Sequence, residues 1–284
     1  MGKTFYDVLA ATAKYDGNAG AHSAVIETIR KHGHSLKSTD AWCSETVMSY
    51  FFDAGCISII GGYSNNAPSI KAKAKKLGIW HDGSSGIRPG DIVIYGSTPN
   101  HTEFAIGDDL NISGNYRGGC SRRKRSGRTI NGYVRPKYEV MPVMDNLQYT
   151  LCACDVMLGV YGTGTTRERL LTVFGTRNAE LIQNEVTRVW ENPKARTFDF
   201  AVYIIMGRAG NDPYRKKRLG KFATAAQKEV DSIRALRSHS KAQCVQDVMI
   251  AGRYGNDAVR AMLLKFNGYN AAEIQKMVND KMGR

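Results

Sequence analysis

A segment built on a pair of glycines recurs three times in the second half of this 284-residue chain. It reads Gly159-Val160-Tyr161-Gly162, then Gly207-Arg208-Ala209-Gly210, then Gly252-Arg253-Tyr254-Gly255, with anchors 48 and 45 residues apart. Five residues past the second glycine stands Arg167, Arg215 or Arg260, and nine past it Leu171, Leu219 or Leu264. Each copy then closes on Gln-x-x-Val: Gln183 with Val186, Gln227 with Val230, Gln275 with Val278. Self-similarity at this period marks a stack of small supersecondary units that share a core. In the third copy the apolar spacing predicts short helices over Val245 to Ala251, Asp257 to Phe266 and Ala271 to Met282, with glycines at the joints. The expected units span 150–192, 196–237 and 241–284, with Asn192 to Arg196 as a linker.

The first half carries no such recurrence. Val25, Ile26 and Ile29 mark a helix that Gly33 ends, and further helices are expected over Asp40 to Ala54 and Pro68 to Leu77. From there the pattern changes to short β-rich runs: Asp91 to Tyr95, Thr102 to Gly107, Leu110 to Ser113 and Asn131 to Pro136. Helices followed by consecutive strands predict an α+β domain over residues 1–141.

The chain carries 40 basic and 26 acidic residues, a net charge of +14. The surplus is 5 up to residue 150 and 9 beyond it, so the repeat half is the more basic part. This favours a polyanionic partner: nucleic acid, an anionic membrane or an acidic wall polymer. No run of apolar residues is long enough for a membrane span. No charged-then-apolar N-terminal pattern marks a signal peptide. Six cysteines at 43, 56, 120, 152, 154 and 244 show no zinc-type C-x-x-C spacing, which points to reduced thiols and folding in a bacterial cytosol.

One of those thiols is placed for chemistry. Cys43 opens the second expected helix, where backbone N–H groups and the positive dipole end stabilise a thiolate. The same amides can hold an oxyanion. His101 begins a strand and can take the thiol proton. Asn115, after the next strand, can orient the imidazole, and the acids Glu103 and Asp108 remain alternatives. The basic run Arg122 to Arg125 reads as a solvated hairpin, or else as an anion-contacting edge beside the cleft. His22, His32, His34 and His81 lack companions at metal spacing and read as surface residues.

Trp42-Cys43, Arg88-Pro89-Gly90-Asp91-Ile92-Val93, Asn100-His101 and Ser113-Gly114-Asn115 together resemble a CHAP-type, NlpC-related cysteine amidohydrolase. Gly118-Gly119-Cys120 and the closing Gly132-Tyr133-Val134-Arg135-Pro136 extend the resemblance over about residues 5–138. It implies a papain-like fold and hydrolysis of peptidoglycan amide bonds without metal or cofactor. Cys43 would be the nucleophile, His101 the base, Asn115 the third polar residue, and Trp42 a substrate contact. Many relatives carry Glu two residues before that Asn; here Ser113 occupies the position.

The recurring unit is similar to the three-helix cell-wall-binding repeat of phage lysozymes that recognises muropeptide. The resemblance implies ligand contacts at Tyr161, Arg167, Arg215, Tyr254 and Arg260, with the second copy weakened by Ala209. The combined expectation is an endolysin-like peptidoglycan hydrolase: a papain-like α+β domain followed by an all-α array of three three-helix repeats on a Gram-positive wall. It would be made in the host cytoplasm and released through a holin. The rival readings are a basic, non-enzymatic helical-repeat protein on nucleic acid and a cysteine peptidase acting on proteins.

Overall fold

The computed structural model describes residues 3–116, 118–250 and 253–283. Its first half opens with α1 (Phe5–Ala11), α2 (Ala21–Lys31), α3 (Cys43–Asp53) and α4 (Ala67–Lys76). Thr4 and Asp7 start α1 with a reciprocal capping box, and Asn66 caps α4 ahead of Pro68. Six strands follow: β1 (Trp80–Asp82), β2 (Ile92–Tyr95), β3 (His101–Ala105), β4 (Leu110–Tyr116), β5 (Gly119–Lys124) and β6 (Ile130–Val134). They form one antiparallel sheet in the order β1-β6-β2-β3-β4-β5. β1 and β5 are absent from the sequence expectation, the latter because its basic run was read as a hairpin.

Helix α3 is the centre of this half. Every residue from Cys43 to Phe51 is buried, so this stretch has no solvent face and lies against β3 and β4 on one side and α1 and α2 on the others. Gly114 in β4 lets it come that close: a Cβ there would collide with the Thr46 side chain.

The second half is helical: α5 (Asn146–Met157), α6 (Gly164–Leu171), α7 (Thr176–Glu191), α8 (Pro193–Ile205), α9 (Tyr214–Leu219), α10 (Ala223–Ala235), α11 (Lys241–Met249), α12 (Asp257–Phe266) and α13 (Ala271–Lys281). α5 packs on α7, α8 on α10, and α11 on α13. The expected linker at 192–196 is instead the start of α8: the Asn192 side chain accepts from the amides of Lys194 and Ala195, and Pro193 takes the first helical position.

The recurring glycines earn their place by conformation. Gly159, Gly162, Gly207, Gly210 and Gly255 all have left-handed φ between 64° and 77°, a region that favours Gly. Gly252 and Ala251 lie outside the described residues. The slot between the glycines points inward each time: Tyr161, Ala209 and Tyr254 are all buried.

The two halves share a core rather than meeting at a linker. One apolar cluster runs from Phe5, Val47 and Phe104 to Tyr161, Phe174 and Ile182, with the rings of Phe5 and Phe174 5.3 Å apart. The first glycine loop rests on the β3–β4 turn, where the Asp108 amide donates to Val160 O at 2.9 Å. The second rests on the turn after α1, where the Asn211 amide donates to Gly17 O at 3.2 Å. Between them lies a buried ionic network. Arg122 of β5 donates to Asp16 at 2.7 Å and reaches Asp155 of α5 at 3.6 Å. Arg218 donates to the other Asp16 oxygen at 2.7 Å. Tyr203 and Arg208 close the set on Asp155. Arg122 therefore belongs to neither a solvated hairpin nor an anion-contacting edge; two carboxylates from distant parts of the chain hold it inside.

Candidate active site

Cys43 is the first residue of α3, and its N-cap, Trp42, supplies no side-chain hydrogen bond to the helix start. The first-turn amides therefore stay directed at the thiol end of the helix. His101 is the first residue of β3, paired in register with Tyr95 of β2. The packing of α3 on β3 brings the two side by side, close enough for each to shift the other's proton affinity.

The rest of the imidazole is held from the sheet. His101 Nε2 lies 3.1 Å from Glu103 Oε1 and 3.0 Å from Ser113 Oγ. The Ser113 hydroxyl already donates to Gly114 O, so both neighbours of Nε2 act as acceptors. Nε2 therefore carries a hydrogen, and Nδ1 is left as the nitrogen available to the thiol.

Glu103 is fully buried and densely partnered. Besides His101, it accepts from Tyr95 OH at 2.9 Å, Asn111 Nδ2 at 3.1 Å, Arg123 Nη1 at 3.3 Å and Arg128 Nη1 at 2.7 Å. Arg128 also stacks over the Tyr95 ring at 3.7 Å. Burial pushes the Glu103 carboxyl up, but the His101 hydrogen bond and the Arg128 charge outweigh it and bring it down to about 2. His101 responds in kind. Burial pulls it down, while the hydrogen bonds to Cys43 and Glu103 raise it to about 9. For Cys43, burial opposes ionisation, yet His101, the Thr102 amide and Ser44 together leave its thiol below the ordinary value. The site thus shifts the pair towards a thiolate beside an imidazolium, with an ionised carboxylate behind it.

The other expected site residues lie elsewhere. Asn115 is exposed, with φ 56° at the irregularity between β4 and β5, and Glu103 and Ser113 take the place at Nε2. Asp108 sits on the β3–β4 turn against the first glycine loop. Trp42 is only 3% exposed and stacks on His22 with ring centres 4.6 Å apart, so its face is already occupied.

Tyr161 and Tyr254 are core residues at 0% and 1% exposure, packed on Phe174 and hydrogen-bonded from Asn267 respectively. Neither ring can meet a polymer. Arg260 ties its own unit together, donating to Gly255 O at 3.3 Å and Gln275 Oε1 at 3.0 Å. Arg215 pairs with Asp212 at 2.9 Å, and Arg167 is half-buried with its Nε out of water. The shared signal for Glu103 was the two-residue period of a strand, which puts it on the face of His101.

Among the described residues no group of three or more His, Cys, Asp and Glu could hold a metal ion, and no helix is long and apolar enough to cross a membrane. Comparison of the chain with protein-family models, with curated proteins and with solved structures finds no match.

Proposed function

We propose that the chain is a thiol-dependent amide hydrolase acting on peptidoglycan. The observation that carries the reading is the Cys43–His101–Glu103 relay: a thiol at a helix N-terminus, beside an imidazole whose Nε2 is held by a buried, ionised carboxylate. The motif resemblance of residues 5–138 supplies the substrate class, and the net charge of +14 suits an acidic wall polymer.

In the reaction the Cys43 thiolate attacks the amide carbonyl and forms a carbon–sulfur bond. The first-turn amides of α3 stabilise the resulting oxyanion. His101 gives its proton to the leaving nitrogen as the carbon–nitrogen bond breaks, leaving a thioester. The neutral imidazole then takes a proton from water, whose oxygen attacks the thioester, and the thiol is regenerated with a carboxylate product. Glu103 is a positioning residue that keeps Nε2 protonated and the ring aligned. The helical half, fused to the enzyme through a common core, holds the site against the polymer.

Cys43→Ala should abolish clearing of Gram-positive wall suspensions while leaving co-sedimentation with those walls intact. Clearing by Cys43→Ala at the parent rate would refute the reading. Cleavage of unfolded protein but not of walls would favour a peptidase. Retention on DNA that collapses steeply with salt, without wall binding, would favour a nucleic-acid protein. Mass spectrometry of released fragments identifies the bond.

A further inference from the structure

A cleft of about 940 Å³ lies in the helical half, away from Cys43. Its walls come from α5 and α7, the start of α8, α10, and the turn leading into α12. All three units therefore contribute, and none could enclose it alone. The volume falls in the range that takes a small organic ligand or short peptide. Gly255 helps shape it: a Cβ there would press on Val259 and the Phe198 ring, both of which line the cleft.

The lining has two characters. Leu181, Phe198 and Val259 give an apolar floor, while the amide side chains of Asn184 and Asn256 stand exposed at the edge. Beside them one half-exposed guanidinium serves two carboxylates. Arg188 meets Glu185 at 2.6 Å and Asp199 at 2.5 Å, and Asp199 is only 4% exposed. With Glu229 and Lys194, the cleft has three acids against two bases, the reverse of the chain as a whole. Burial pushes the Asp199 carboxyl up to about 7 although Arg188 beside it pulls the other way. A second cation entering from the cleft relieves that imbalance.

We infer that this cleft is a single binding site, built jointly by the three units, for a short peptide that carries a primary ammonium group. The ammonium sits against Glu185 and Asp199, the edge asparagines pair with peptide amides, and small apolar side chains rest on Leu181 and Phe198. The inference rests on the wall reading for the source of such a peptide, namely a wall stem with a free amine. It replaces one ligand site per copy with one site per chain.

The test uses full-length Cys43→Ala protein, a synthetic Ala-Glu-Lys-Ala peptide acetylated at its N-terminus and the same capped peptide acetylated also on its lysine amine, compared by titration calorimetry. One free-amine peptide should bind per chain, acetylation should weaken it about tenfold, and Asp199→Asn should erase that difference. Asn184→Trp, at an exposed position, should block both peptides by filling the cleft, which keeps the test decisive if Asp199→Asn fails to fold. Equal affinity for the two peptides, three bound per chain, or undiminished binding in Asn184→Trp would overturn the inference. Wall clearing by the parent protein is measured alongside. Clearing without peptide binding removes the cleft assignment and keeps the Cys43 reading; peptide binding without clearing does the reverse.

Discussion

Replacing Glu103 by Gln removes a charge and keeps the shape, so it isolates what the buried carboxylate does for the relay. Glu103 lies at about 2 against an ordinary 4.5, because His101 and Arg128 together outweigh its burial. At 1.36 kcal/mol per tenfold in proton affinity, its ionised form is favoured by roughly 3 kcal/mol. That preference is divided among the cations and donors around it, so the share that supports the imidazolium is about 1–2 kcal/mol, in line with one charge-assisted hydrogen bond. Its loss should reduce the thiolate–imidazolium population about tenfold. The assay needs no substrate: the initial rate of Cys43 alkylation by iodoacetamide at pH 6, read by peptide mass spectrometry. Stability should follow the same logic. A depressed carboxyl contributes fully above its unfolded value near 4.5 and loses that contribution as pH falls through about 2. A raised imidazole contributes fully below 6.5 and loses that contribution as pH rises through about 9. The urea midpoints of parent and Glu103→Gln should therefore differ most between pH 4.5 and 6.5. A purely packing role would lower the midpoint without slowing alkylation. The reasoning is refuted if Glu103→Gln alkylates at the parent rate across the pH range while Asn115→Ala shows the loss.

Further consequences can be checked on the folded protein. Cys43 should be the first of the six thiols alkylated at pH 6 to 7, since burial pushes Cys56 up to about 12 and raises Cys120, Cys152, Cys154 and Cys244 as well; early labelling at any other cysteine counts against the relay. Arg122→Ala leaves Asp16 and Asp155 short of a counter-ion inside the joint and should cost about 3–5 kcal/mol in urea unfolding. Tyr161→Ala should cost about 3–5 kcal/mol, whereas Tyr161→Phe should be neutral or mildly stabilising, because the buried hydroxyl has no hydrogen-bond partner; a destabilised Phe variant with intact Ala variant would contradict the core assignment.

Local signals carried much of this molecule into the sequence. The span Asp257 to Phe266 is expected as a helix and is α12 to the residue, because its apolar spacing and flanking glycines agree. The strand expected over Asp91 to Tyr95 is β2, one residue shorter, and its four residues Ile92 to Tyr95 are all buried. Cys43 and His101 were legible because a helix start and a strand start each fix one side chain. What stayed hidden depended on distant partners. Arg122 reads as solvent-facing until Asp16, 106 positions away, and Asp155 come beside it. Tyr161 and Tyr254 recur in a motif, and recurrence alone cannot distinguish a ligand platform from a core slot; the left-handed glycines turn both rings inward. Asn192-Pro193 reads as a break, yet an asparagine cap followed by proline is also how a helix begins. The sequence leaves the group that orients His101 open between Asn115 and an acid such as Glu103 or Asp108; Glu103 shares the strand face of His101, and Asn115 has a left-handed backbone at an irregularity of β4.

The shared core and the two docked glycine loops bear on how this chain can be cut or recombined. Ending it at residue 141 would bare Phe5 and the Gly107 turn, which now lie under Phe174 and Val160, and would strip Arg122 of Asp155 and Asp16 of Arg218. A loss of function in such a fragment would report a collapsed first half, not a missing anchor. Chimeras that exchange the C-terminal half must carry Val160, Arg208 and Arg218 with them, or graft their complement onto the β3–β4 turn and the turn after α1. The helical half is in this sense the last layer of the first half's own interior.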